Sequence, residues 1–430
     1  MFSRKFHVRR HAMMIAAVAA TVGFAAVSQA APFTWVNGSG SFNNNTTGGT
    51  GIPTNADVVF NGSATTDTVR VDEHTTVYSL EFKGGGYVLN GYQNGVDATG
   101  GYYTITTGAA AMYDARPAAY IKNTGVNYIY ATLDVGYVSG SSNFAQFDID
   151  DFLYVSTIRK TVSYAAFEKK GSGTLSVGAI SGFDGDIRIT SGTLHLSGAS
   201  SSTSVVSADT ITVGSNGTLA GNAKATLAND ASSLNVHGHI APGDGLAKGD
   251  FGIFTLASTS RNNSTTKNTV NLYGTATNNG TGISCLDINI GTGGYDKFRL
   301  DCNGGSSQSQ FVLNIYEGAQ IHINAIDNVL DNLEGDYSCQ VVAFANATRT
   351  LSINYEGVAL TDGIYDGSDA AHPLLFDVLG LGDNYEYKFE VANYAINLII
   401  SAKDAGPVPE PASLGLLGLG VFGLLARRRR

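Results

Sequence analysis

The tripeptide Gly-Thr-Leu occurs three times in the middle of this 430-residue chain, at 173–175, 192–194 and 217–219, with starts 19 and 25 residues apart. Between the copies lie the strand-like stretches 185–189 (Gly-Asp-Ile-Arg-Ile) and 211–214 (Ile-Thr-Val-Gly). A unit of this length, one or two short strands closed by Gly, Asn or Ser turns, cannot bury its apolar side alone. Stacked on its neighbours it builds a continuous core. The spacing predicts that Leu175, Leu194 and Leu219 stand one above another inside such a stack, while Ser176 and His195 face solvent. Regular short strands also suit a Greek-key or sandwich domain, the alternative architecture.

Composition agrees with an all-β body. Glycine accounts for 53 of 430 residues and charged side chains for only 14%, so turns are plentiful and ion-pair networks sparse. A hydrophobic share of 43% is too high for a disordered polymer. No stretch outside the two ends carries an extended apolar period of 3.6, which excludes helix-rich dinucleotide-binding and barrel enzymes.

The ends differ from the body. Residues 1–30 carry Arg4, Lys5, Arg9 and Arg10 without an acid, then an apolar run at 12–27 and the small-residue site Ser28-Gln29-Ala30. This is the pattern of a secretory signal peptide cleaved before Ala31. Arg9-Arg10 lacks the flanks of a twin-arginine signal, so general secretion is the expected route. At the other end an apolar run at 412–426 is closed by Arg427, Arg428, Arg429 and Arg430. Fifteen helical residues span about 22 Å, short of the roughly 30 Å hydrocarbon core, and the arginines make up part of the difference by snorkelling. Their charge holds that end on the cytoplasmic side. Removing both ends leaves 18 basic residues (26 less eight) against 35 acidic (36 less one). An acidic body of this kind argues against a nucleic-acid partner.

Directly before the apolar run stand Val408, Pro409, Glu410 and Pro411. Motif, apolar run and basic stop, in that order, resemble the PEP-CTERM sorting tail of Gram-negative bacteria over about the last 24 residues. The resemblance implies an exosortase-type membrane protease or transpeptidase as partner, cutting near Pro409-Glu410-Pro411. It also implies transient anchoring in the inner membrane through a short C-terminal helix, with the cell surface, outer membrane or extracellular matrix as destination. A plain membrane anchor is the simpler alternative. The G-x-G-x-x-G match at 418–423 lies inside the apolar run, with no preceding strand and no acidic residue downstream, and is not a dinucleotide site.

A second resemblance concerns the body. The opening Trp35, the segment 53–60 (Pro-Thr-Asn-Ala-Asp-Val-Val-Phe) and the stretch 77–82 look like the start of bacterial surface proteins built from autotransporter-associated β-strand repeats. Residues 169–197 resemble one such repeat, and 234–243 followed by 252–256 the coil that ends a series of them. The implied fold is a right-handed parallel β-helix with irregular coils and a terminal β cap. The expected organisation is a signal peptide at 1–30, an N-terminal β region at 31–165, repeats at 166–257, a C-terminal solenoid and cap region at 258–401, a linker at 402–408 and the sorting tail at 409–430. Residues 258–282, rich in Ser, Thr and Asn, read as a long loop or widened coil. A true autotransporter would also need a membrane β-barrel, which the sequence lacks.

Chemistry-bearing motifs are few. No H-E-x-x-H, C-x-x-C, G-x-S-x-G or Walker A pattern occurs. His237 and His239, two apart, would share one strand face opposite Leu234, Val236 and Ile240 and begin a metal site, but no third ligand is visible. Surface histidines are the simpler reading. Three carboxylate groups stand out: Asp148, Asp150 and Asp151; Asp184 and Asp186; and Asp362, Asp366 and Asp369 in a loop reminiscent of calcium sites. Each also suits a β-turn. Tyrosines at 78, 87, 92, 102, 103, 113, 120, 128 and 130 would stack against sugar rings or simply pack on a half-buried sheet. Among Cys285, Cys302 and Cys339 the first two, in successive strands, are the expected pair.

These readings predict an exported, non-enzymatic surface or matrix protein without a cofactor, sorted through its tail and associated with exopolysaccharide. The competing class is a carbohydrate-active lyase or hydrolase on the same fold, which needs acidic and basic groups converging on one groove. Lys and Arg are scarce there, with only Arg188 and Lys224 between 171 and 247.

Overall fold

A computed structural model describes residues 32–403 apart from 37–38, 43–55, 63–66, 94–95, 99–103, 108–118, 136–143, 161–165, 182–184, 198–203, 230, 244–250, 259–266, 275–281, 302–310, 332, 334 and 346–351. The protein is all-β: 71% of the described residues are strand and none is helical. Their 34 strands join in one sheet whose pairings are mostly parallel.

Three columns of strands make up that sheet. The first climbs from Phe33–Val36 and Ala56–Asn61 through Ala166–Lys170 to Ser233–Val236, Asn268–Leu272, Phe311–Ile315 and Ser352–Tyr355. The second runs through Val126–Val135, Phe152–Lys160 and Thr174–Ser181 to His239–Pro242, Cys285–Gly291 and Gln320–Ala325. The third passes Ser204–Ala208, Lys224–Leu227, Ile253–Ser258 and Lys297–Asp301 to reach Tyr337–Ala345. Long strands such as Asp186–Leu196 and Thr210–Gly221 bend at a register shift and serve two columns in succession. Asn268–Leu272 is a strand of the first column, so of the two readings of 258–282 the widened coil fits and the plain long loop does not.

The repeated leucines occupy the predicted column. Leu175 is the Cα partner of Leu194, and Leu194 of Leu219. The row continues through Ile240, Leu286 and Ile321, all buried. Ser176 departs from expectation. It is only 5% exposed, and its hydroxyl lies 3.1 Å from His195 Nδ1 on the next rung. The side chain above roofs the one below, so an outward position within a stack is still covered.

The glycine of the signature has a steric cause. Gly192 adopts φ +67°, and a Cβ there would lie 2.3 Å from the Gly171 carbonyl oxygen. A Cβ on Gly217 would stand 2.4 Å from the Ile189 carbonyl oxygen. These are the corners where the chain passes from one column to the next, and neighbouring backbones approach too closely for a side chain.

Polar groups enter the core at fixed places. Lys169 is fully buried between Phe147 below and Ile189 above. Its ammonium donates to the carbonyls of Lys170, Gly171 and Ser191 at 2.5, 3.0 and 3.2 Å. Burial pushes its pKa down to about 8. On the outside of the first column Asn235, Asn271, Asn314 and Asn354 form a ladder, the upper three amides each donating to the side-chain oxygen of the asparagine below at 2.7–3.0 Å.

The far end closes with antiparallel strands. Ala395–Ala402 pairs antiparallel with Tyr337–Ala345, the last rung of the third column, and with Tyr385–Ala392. An open parallel edge there would template further strand addition, and the hairpin covers it. Ala402 still belongs to this strand. Among the described residues no helix is long and apolar enough to cross a membrane. The expected signal peptide, the remainder of the linker and the tail with its membrane helix lie outside the described residues.

Candidate functional site

Three of the expected acidic residues, Asp151, Asp366 and Asp369, serve turns. The strand Phe144–Ile149 ends before Asp150, so Asp148 and Asp150 do not share a strand face. Asp148 accepts the Tyr120 hydroxyl at 3.4 Å, and Asp151 accepts the Gly125 amide at 2.7 Å. Asp184 lies outside the described residues, while Asp186 pairs with Arg188 at 3.3 Å. The expected loop at 362–369 is interrupted by the strand Gly363–Tyr365, which separates Asp362 from the turn where Asp366 accepts the Ser368 amide and Asp369 those of Ala371 and His372. Hydrogen bonds, from Ser368 and from the His372 ring respectively, hold both carboxyls below their ordinary range. Backbone capping of this kind is the ordinary use of Asp in turns.

The two histidines separate. Ser233–Val236 ends before His237, and His239 opens a new strand in the next column, so the chain turns between them and they do not share a face. The His237 ring stacks on Tyr273 with centroids 4.2 Å apart and planes 1° from parallel, and Tyr273 stacks in turn on Tyr316. Burial lowers the His237 pKa. Leu234, Val236 and Ile240 are buried as expected.

His239 faces a different set of groups. Cys285 is its Cα partner on the next rung. Alternation puts Leu286 in the core row and Cys285 and Asp287 together on the outer side. On the rung above, His322 is the partner of Asp287. His239 Nδ1 lies 3.0 Å from Asp287 Oδ2, the Cys285 thiol donates to Asp287 Oδ1 at 3.5 Å, and His322 Nδ1 is 3.6 Å from that same oxygen. The potential ligand atoms of His239, Cys285 and Asp287 all fall within 4.8 Å of one another. The hydrogen bond that His239 donates to Asp287 raises the His239 pKa. Burial, reinforced by Asp287, pushes the Cys285 thiol far up, so it is no nucleophile at neutral pH. A small hollow lined by Pro242, Asp287, Asn289, His322 and Asn324 opens beside the group.

Cys285 and Cys339 are both free and buried, which corrects the expected bridge from Cys285. Strand Cys285–Gly291 belongs to the second column and Lys297–Asp301 to the third, and Cys302 lies outside the described residues. Of the tyrosines, Tyr87 is wholly buried, whereas Tyr128, Tyr130 and Tyr154 form a half-buried cluster with centroids 5.4–6.3 Å apart.

Fold and surface thus define an all-β protein of parallel stacked strands. Comparison with known families adds the handling of its C-terminus: residues 407–430 match the PEP-CTERM protein-sorting motif, which contains Pro409, Glu410, Pro411 and the four terminal arginines. That motif implies export to the cell envelope or surface and processing by an exosortase-type enzyme. No curated protein and no solved structure matches the chain.

Proposed function

We infer that this chain is an exported, non-enzymatic surface or matrix protein, made with a signal peptide at 1–30 and held briefly in the inner membrane by its tail. Its body is a right-handed parallel β-helix of autotransporter-associated type, associated with exopolysaccharide outside the cell. The observation that carries this reading is the joining of a sorting motif at 407–430 to a stacked-strand body. Support comes also from the aspartates at 151, 366 and 369, whose carboxylates are engaged by backbone amides rather than aimed together across a groove. Tyr128, Tyr130 and Tyr154 offer aromatic faces of the kind that stack on sugar rings.

The test compares the wild type with a Pro409→Ala/Pro411→Ala double variant in the producing bacterium. The wild type is expected to be shortened and released from the inner membrane, and the variant to stay full length and membrane-bound. Equal length and equal membrane association of the two proteins would overturn the sorting reading. Polysaccharide pull-down of the full-length chain, compared with a Tyr128→Ala/Tyr154→Ala variant, tests the matrix association separately.

A further inference from the structure

The outer side of the second column brings His239, Cys285 and Asp287 from two neighbouring rungs within 4.8 Å of one another, with His322 on the next rung 3.6 Å from Asp287. We propose that His239, Cys285, Asp287 and His322 form a zinc site. A tetrahedral zinc ion with ligands at 2.0–2.3 Å has its ligand atoms about 3.3–3.8 Å apart. The pairs that meet at Asp287 measure 3.0, 3.5 and 3.6 Å and the ligand atoms of His239, Cys285 and Asp287 lie within 4.8 Å of one another, so three ligands stand near such edges and the half-exposed His322 would complete the set by turning its ring toward them. The register explains why. Cys285 and Asp287 are two apart on one strand and share its outer face, His239 lies beneath Cys285 and His322 above Asp287, and neighbouring strands are about 4.8 Å apart.

The donor set selects the ion. Two imidazoles, a thiolate and a carboxylate suit zinc and its neighbours, whereas calcium and magnesium demand oxygen ligands throughout. Cys285 is 3% exposed and Asp287 16%, while His239 and His322 sit at the solvent side. The ion would enter past the histidines and meet the sulfur last. Binding converts the Cys285 thiol to a thiolate and releases its proton to solvent, as a metal–sulfur bond requires. The bound ion would tie three rungs together where the repeat lengthens. This proposal is independent of the sorting reading.

Cobalt provides the probe, since a tetrahedral Co2+ site with one thiolate shows visible ligand-field bands and a sulfur-to-metal charge-transfer band. The untagged full-length chain, reduced and freed of metal, is titrated with Co2+ and then with Zn2+. One equivalent is expected to bind with both spectral features, and Zn2+ to displace it. Cys285→Ser should remove the charge-transfer band, and Asp287→Asn and His239→Gln should each weaken zinc at least tenfold. Cys302→Ser and Cys339→Ser should leave the spectrum unchanged. Circular dichroism matched to wild type qualifies each variant. Absence of a tetrahedral cobalt spectrum at stoichiometric metal, or a charge-transfer band retained in folded Cys285→Ser, overturns the assignment.

Discussion

Asn314 donates its side-chain amide to the Asn271 side-chain oxygen at 2.7 Å, across 43 residues of chain. Asn271 in turn donates to Asn235 at 2.8 Å, so its amide both gives and receives along the column. A side chain used in both directions has no isosteric substitute, because Asp accepts but does not donate. Asn271→Asp is therefore expected to cost about 1 kcal/mol. The same change at Asn235, which accepts at the foot of the ladder and donates only within its own strand, to Ser233 Oγ, should cost less. Denaturant unfolding of the two variants makes the comparison, and an equal loss at both positions would show that the ladder adds nothing to stability.

Leu194 is 1% exposed and lies between Leu175 and Leu219. Leu194→Asp places an uncompensated carboxylate in that row and is expected to cost several kcal/mol. His195→Asp touches only the covered outer row beside Ser176, for a loss of about 1 kcal/mol. Thermal unfolding in the reverse order of damage would contradict the register.

Lys169 sets a pH dependence. Folding lowers its pKa from 10.5 to about 8 through burial, so between those values the unfolded chain binds more protons than the folded one. This group's contribution to stability therefore rises with pH across the window and is lost again as pH falls through about 8. Unfolding free energies of wild type and Lys169→Met, compared at about pH 8 and about pH 10, should move in favour of the wild type at the higher pH. A difference that stays flat across the window refutes the buried charge.

At Gly217 the missing side chain is a packing requirement. Gly217→Ala drives a methyl against the Ile189 carbonyl and should cost about 1–3 kcal/mol. Gly363 has nothing within 4 Å of where a Cβ would stand, and Gly363→Ala should be neutral or stabilising by about 0.5 kcal/mol. Melting temperatures that fall equally in both variants would mean that the close approach at 217 is relieved by movement of the strand.

The leucine column was legible in the sequence because its members recur at 19 and 25 residues, a spacing short enough to be seen as a repeat. The asparagine ladder was not, since its steps are 36, 43 and 40 residues. There the stretches of sequence between successive strands are of unequal length, and no fixed period survives. The metal ligands were hidden for the same reason. Asp287 follows His239 by 48 residues, during which the chain visits the third and first columns before returning. His237 misled because a face-sharing rule holds only along one strand, and the chain turns a corner at Gly238. Lys169 gave no sign of its burial, because three carbonyls that satisfy an ammonium come from backbone and leave no mark on side-chain identity.

The antiparallel hairpin also fixes an order of events. In a chain delivered across a membrane from its amino end, Tyr337–Ala345 arrives well before Ala395–Ala402, the strand that pairs with it. During that interval the last rung of the third column waits with its edge bare. The matched sorting motif begins at residue 407, directly after the closing strand, so the segment that invites cleavage emerges once the means of completing the body has already been handed over. In chain order, processing at the tail thereby follows the strand with which the molecule stops being sticky.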